Sequence, residues 1–361
     1  MARSTAPVFL VVALFLSGCS TLSYYSHAVG GHIEVMQAAH PINEVIDDPK
    51  CDPALKKKLE EVRRIRDFAS RELGLPDNRS YRTYADIHRP FVTWNVFAAP
   101  EFSLLPKTWC MPIVGCVGYR GFHSQNEAES LASELRREGF DTYVGGIPAY
   151  STLGYLNDPV LNTFLKFGNI EVARLIFHEL AHQVLYVDGD ATFNESFAVA
   201  VENEGLRRWL AHVEKPELQY MVTAQQQHKA EFVRLVSGYR DRLKEIYASD
   251  LSINAKRQAK ADVMAEIQRD YLNQQEAKGK PPYYKEWLEQ DFNNAKLGSL
   301  AMYNQLLPNF EALLEAEGRD LPRFYRLVAI LGSLPFKQRQ AALERIKPAD
   351  IENSDKLTTI Q

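Results

Sequence analysis

Phe177-His178-Glu179-Leu180-Ala181-His182-Gln183 sits inside a stretch with helical periodicity from Ile170 to Val187, and the reading of that stretch decides the fold. Val172, Leu175, Ile176, Leu180, Val184 and Leu185 recur at helical spacing and make a packing face. His178 and His182 are four apart, so on a helix both imidazoles project from one side and can reach a single Zn2+. Glu179 follows His178 directly, where a carboxylate takes a proton from a water whose pKa the ion has lowered. A reactive zinc site needs a third protein ligand and one open position. Thirteen residues after His182 stands Glu195, in Asn194-Glu195-Ser196-Phe197-Ala198 at the start of a second helical pattern, Phe193–Ala211. A carboxylate on a helix packed against the histidine helix completes a two-His, one-Glu site for one Zn2+ per chain.

From Ile170 onward almost everything reads as helix. Two long polar-faced segments, Thr223–Ala248 and Ile253–Ala277, have the pattern of an antiparallel helical hairpin. Gly279–Pro282 breaks the chain before further helices near Trp287–Leu306, Asn309–Glu317 and Leu321–Leu331, and the tail from Pro348 is polar. Upstream, Tyr24–Ala39 and Pro53–Leu73 read as helices, the second closed by Gly74 and Pro76. Between Tyr81 and Tyr150 the texture is different. Short aromatic and β-branched runs (Phe91–Phe97, Ile113–Tyr119, Phe140–Val144) alternate with Pro and Gly around a helix at Gln125–Glu138, which predicts a small antiparallel sheet. The expected class is α+β: a modest sheet ahead of a mainly helical body. The expected divisions are a signal peptide over 1–18, an N-terminal helical segment over 19–80, a core over 81–215 and a helical region over 216–361.

The first residues carry their own signal. Arg3 precedes the uninterrupted apolar run Pro7–Leu16, which is too short to cross a hydrocarbon core and has the length of a signal-peptide core. It ends in Leu16-Ser17-Gly18-Cys19, similar to the bacterial lipobox, in which the cysteine is lipidated and becomes the first residue. Ser20 in place of an acidic residue points to the outer membrane, so the expectation is a soluble body on a lipid tether at its periplasmic face. In that oxidising compartment Cys110 and Cys116, six apart around a Pro/Gly-bearing loop, are close enough to pair. Cys51 is then odd: free, or the true partner of one of the other two. The 361 residues are 45% hydrophobic with a formal charge of −4 and no basic stripe, which argues against a nucleic-acid partner.

The His-Glu-x-x-His and Asn-Glu-Ser-Phe-Ala stretches together resemble the gluzincin metallopeptidases: the thermolysin-like endopeptidases and, more closely, the large zinc aminopeptidases with Asn-Glu-Gly-Phe-Ala. The resemblance implies His178, His182 and Glu195 on the zinc, Glu179 as general base, and Asn194 and Glu202 around the ligands. Spacing alone would choose Glu202, twenty residues past His182, whereas the local motif chooses Glu195 and makes Glu202 the partner of a ligand imidazole. The loop between the two halves is shorter than the gluzincin norm. A second resemblance covers most of the chain. Trp109-Cys110, Gly115-Cys116 and Tyr119-Arg120-Gly121, then Ala149 to Val160, then the two zinc stretches, are similar to a bacterial family of envelope lipoproteins named as aminopeptidases.

The aminopeptidase reading asks for a carboxylate to hold the substrate's free amine. The Gly-Ala-Met-Glu-Asn strand used by the large aminopeptidases is absent, and Gly145-Gly146-Ile147-Pro148-Ala149-Tyr150 in a similar place carries no acid. Asp158 and Glu101 remain by elimination, although Asp158 is more simply a turn residue before Pro159. For the oxyanion donor, Tyr150 and Tyr303 are the candidates. Three functions compete: a zinc aminopeptidase acting on peptides, an endopeptidase acting on envelope peptides, and a non-catalytic lipoprotein that holds zinc and binds a partner through its hairpin.

Overall fold

The computed structural model describes residues 24–111, 115–290 and 292–346. Cys19 and its apolar leader, the tail from Pro348 and the beginning of the Ile113–Tyr119 stretch lie outside the described residues. The first helix, α1, covers residues 24–37. β1 (Ala39–Pro41), α2 (Ile42–Asp47), α3 (Pro53–Leu73), β2 (Thr83–Ala85) and β3 (Thr93–Pro100) follow. Next come β4 (Trp109–Met111), β5 (Gly115–Val117), β6 (Tyr119–Phe122), α4 (Gln125–Arg137), β7 (Phe140–Ile147) and β8 (Val160–Leu161). The remainder is helical: α5 (Asn162–Leu165), α6 (Asn169–Val184), α7 (Ala191–His212), α8 (Pro216–Ala248), α9 (Ile253–Ala277), α10 (Lys285–Glu289), α11 (Asn294–Asn304), α12 (Leu307–Ala316), α13 (Leu321–Ser333) and α14 (Phe336–Arg345). The fold is α+β and mainly helical. Among the described residues no helix is long and apolar enough to cross a membrane.

The principal sheet runs β6-β3-β7 and is antiparallel throughout, with Val96 opposite Arg120 on one side and Val144 on the other. Side chains of a strand alternate between faces. Accordingly Trp94, Val96 and Ala98 pack on Ala128, Ala132 and Leu135 of α4, while Phe97 and Ala99 pack on Ala295 and Met302 of α11. Helices cover both faces of β3, which is why it reads as an almost unbroken apolar run. A second small sheet, β1-β2-β8, pairs β2 with β8 in parallel, and none of its two- or three-residue strands stands out in the sequence. The third is the β4–β5 hairpin, closed by a disulfide between Cys110 and Cys116, with Cys51 free.

Local chemistry sets the helix ends. Asp52 accepts hydrogen bonds from the Ala54 and Leu55 amides at the start of α3, Pro53 follows as its first residue, and Gly74 ends it in the left-handed conformation. The stretch read as one helix over Trp287–Leu306 is two, α10 and α11. The Asn293 carboxamide oxygen accepts from the Ala295 and Lys296 amides, starting a new helix. The principal core gathers Leu59, Ile65 and Phe68 of α3 with Ile176 and Phe177 of α6, Phe197 and Val201 of α7, and Phe310 and Phe324 of α12 and α13. The α8–α9 hairpin has its own core, including Phe232, Val236, Leu243 and Ile267, to which Leu297 of α11 contributes.

Candidate metal centre

The helices α6 and α7 cross closely because Gly205 has no side chain. A Cβ there would lie 2.8 Å from both Leu73 and Phe177 atoms, an overlap costing about 1–3 kcal/mol to relieve. That contact brings the start of α7 over the end of α6. His178 Nε2 lies 3.2 Å from His182 Nε2 and 3.2 Å from Glu195 Oε2, and His182 Nε2 lies 3.7 Å from the same carboxylate oxygen. Ligand atoms held at 2.0–2.2 Å around a tetrahedral ion are about 3.3–3.6 Å from one another. The three donors therefore stand at the separations a small tetrahedral cation imposes, and their chemistry, two imidazoles and a carboxylate, fits zinc. Among the described residues this is the one His/Cys/Asp/Glu group gathered so tightly.

The surroundings hold those atoms in place. His178 Nδ1 donates to Glu202 Oε2 at 2.9 Å, leaving Nε2 to face the other two donors. Glu202 in turn accepts from Arg174 Nη1 at 3.0 Å. Burial works to lower the His178 pKa, but the Glu195 and Glu202 carboxylates outweigh it and raise it well above the usual imidazole value. Burial likewise works to raise Glu195, yet the two histidines bring it down to about 2, so it is a carboxylate at any working pH. Glu179 is the exception. Its burial dominates and pushes the carboxyl up from its ordinary value, with His178 and His182 pulling the other way. A buried carboxyl with a raised pKa beside two histidines is poised to take up a proton.

A sequence profile for the family described as "Putative aminopeptidase" matches residues 23–343, nearly the whole chain. The chain belongs to this family. Its name implies peptides as substrates. No curated protein and no solved structure matches the chain.

Other residues singled out in the sequence land in different places. Tyr303 is partly buried beside the donors, its ring centroid 6.3 Å from that of His178. The Tyr150 hydroxyl is engaged 2.6 Å from His32 Nδ1, with its ring against His32 and His123, so it belongs to a separate cluster that docks α1. The Asn194 carboxamide brackets Val187, accepting from its amide at 2.8 Å and donating to its carbonyl at 2.9 Å. It holds the short α6–α7 loop closed. Glu101 is tied to Arg257 and to Lys260 through its carbonyl. Asp158 accepts from the Thr152 amide at 2.9 Å, as a turn residue does, while its other oxygen is buried and unpartnered.

Three residues at the site were not singled out. Arg174, four before His178 on α6, extends the histidine stripe, and that spacing was the available signal, whereas Tyr186 lies in the loop just past the end of α6. Tyr186 lies with its ring centroid 6.3 Å from that of His182, and burial with the Glu195 charge pushes its hydroxyl up to about 12. Tyr119, at the start of β6, is partly buried within the field of Glu195 and Glu179, and desolvation with those charges raises its pKa far above the usual phenol value. It reaches the site only through the sheet. The β4–β5 hairpin reaches it too: Gly115, at φ +72°, brings its Cα close enough that a Cβ would lie 2.7 Å from the Gly189 amide nitrogen in the α6–α7 loop.

Proposed function

We propose that this protein is a zinc-dependent metallopeptidase, acting as an aminopeptidase and tethered through a lipidated Cys19 at the periplasmic face of the outer membrane. The observation that carries the chemistry is the trio of His178, His182 and Glu195 donors 3.2–3.7 Å apart with Glu179 beside them. His178, His182 and Glu195 would hold the ion, and Glu202 would keep the His178 proton on Nδ1 so that Nε2 is free to bind. Bound zinc supplies a Lewis acid that polarises a scissile carbonyl and lowers the pKa of a water. Glu179 takes the proton released by the attacking water at its carboxylate and delivers it to the leaving amine. The raised Glu179 pKa suits a group that must both accept and return a proton. Tyr303, Tyr119 and Tyr186 surround the site with hydroxyls, and a phenol with a raised pKa stays protonated to donate to a developing oxyanion.

Metal analysis and two substrates test this. The wild type should contain one zinc per chain and release amino-acid naphthylamides faster than it cleaves an internally quenched peptide blocked at its N-terminus. Glu179→Gln should keep the zinc and the fold and lose nearly all turnover. Faster cleavage of the blocked peptide would make it an endopeptidase. Zinc without turnover of either substrate would leave a metal-holding binding protein, and wild-type turnover in Glu179→Gln would exclude the mechanism.

A further inference from the structure

Beside the metal centre, a groove of about 840 Å3 runs along α8 between Thr223 and Arg240. Its opposite wall is built by the helices that carry the site: Arg174 of α6, Asn203 of α7 and Asn304 of α11 all line it. Although the chain has a net charge of −4, four cations (Arg174, Lys229, Arg234, Arg240) face this groove against two carboxylates, Glu171 and Glu311. Arg174 is committed to Glu202, and Glu311 accepts from Asn203. Lys229 and Arg240 are half-buried, yet among the described residues neither side chain makes a hydrogen bond or has a carboxylate within 4.0 Å. Glu202, Glu171 and Glu311 act on Lys229 only from beyond ion-pair reach, and the Arg240 Nε is fully buried without a partner. Buried cations are normally paired, because desolvating one without an anion is costly. Two unpaired cations in one groove are a recognition surface for anions.

Their spacing defines the ligand. Lys229 and Arg240 are eleven residues apart on one helix, a rise of about 16 Å, which no single phosphate, sulfate or carboxylate spans. An extended peptide advances about 3.3 Å per residue and covers that distance in about five residues. Gln305, exposed on the facing wall, carries a carboxamide, which offers both donor and acceptor, as a peptide backbone requires. We propose that this groove binds an extended peptide segment with carboxylates about five residues apart, one held by Lys229 and one by Arg240. Binding here is separate from hydrolysis and holds whether or not the peptidase reading does.

The test uses the full-length protein and a fluorescein-labelled hexapeptide, blocked at both ends, with glutamates at its first and last positions. Anisotropy at low salt should show saturable binding to the wild type. Lys229→Met and Arg240→Met should each weaken it about tenfold, and a peptide with its glutamates two residues apart should bind no better to the wild type than the hexapeptide does to either variant. Arg240→Lys, which keeps the charge, should retain most of the affinity, and so separates lost recognition from a damaged fold. Equal binding by wild type and both Met variants would overturn the proposal. So would equal binding of a lysine-for-glutamate peptide, or displacement by inorganic phosphate at the same concentration as by unlabelled hexapeptide.

Discussion

Glu195 and Glu202 lie seven residues apart on α7, and removing each should have a different consequence. Two helical turns separate them by about 11 Å along the axis, and His178 stands between them. Its Nε2 is 3.2 Å from Glu195 and its Nδ1 is 2.9 Å from Glu202, on opposite edges of one ring. Glu195→Ala deletes one of three donors and should abolish zinc binding. Glu202→Ala leaves all three donors but frees the His178 ring and its tautomer. The expected loss is about 10–100-fold in metal affinity, or about 1.4–2.7 kcal/mol. It also strands the His178 Nδ1 proton in a buried site and releases Arg174, so the metal-free fold should lose about 1–3 kcal/mol. Zinc competition against a chromophoric chelator at pH 7 measures the first quantity, and urea unfolding of the stripped proteins the second. Zinc held at full affinity by Glu195→Ala and lost from Glu202→Ala would reverse the assignment.

Three further expectations follow from other parts of the chain. Burial raises the Asp158 carboxyl from 3.8 to about 6. Between about pH 4 and 6 the unfolded chain therefore binds fewer protons than the folded one, and stability falls by up to about 3 kcal/mol as pH rises through that window. Asp158→Asn should accordingly be more stable than the wild type at pH 7 and show no such gain at pH 4; equal differences at the two pH values in urea titrations would refute this. Reducing the Cys110–Cys116 bond, which closes a six-residue separation, should destabilise the fold by about 2 kcal/mol, and an unchanged melting transition under reductant would contradict it. Cys19→Ser should leave an unprocessed or soluble protein, and unchanged mass and membrane fractionation would exclude lipidation.

The helices and the histidine stripe were legible in the sequence because their causes are local. A helix places residues i and i+4 on one face whatever surrounds it, so His178 and His182 share a side before any packing is known. Asp52-Pro53 and Gly74 likewise mark the ends of α3 through bonds within a few residues. The long α8–α9 hairpin follows from the same periodicity. Even the sheet was visible where it is long, in β3 and β7, though its boundaries slipped by a few residues where α4 and α11 cover both faces.

Contacts between distant segments were a matter for the tertiary structure alone. The β1-β2-β8 sheet joins strands of two or three residues from positions 39, 83 and 160, too short to carry a period. Tyr150 and Tyr303 were equivalent as candidates in the sequence. Packing on α1 ties the first to His32, and α11 lying on the β6-β3-β7 sheet delivers the second to His178. Asn194 reads as part of a ligand motif, yet its carboxamide closes the short loop that lets α7 return over α6. The Arg174–Glu202–His178 chain and the approach of Tyr119 exist only once α6, α7 and β6 have docked. Spacing along a helix is set by backbone geometry within one segment, but the distance between two side chains on different elements depends on every packed residue between them.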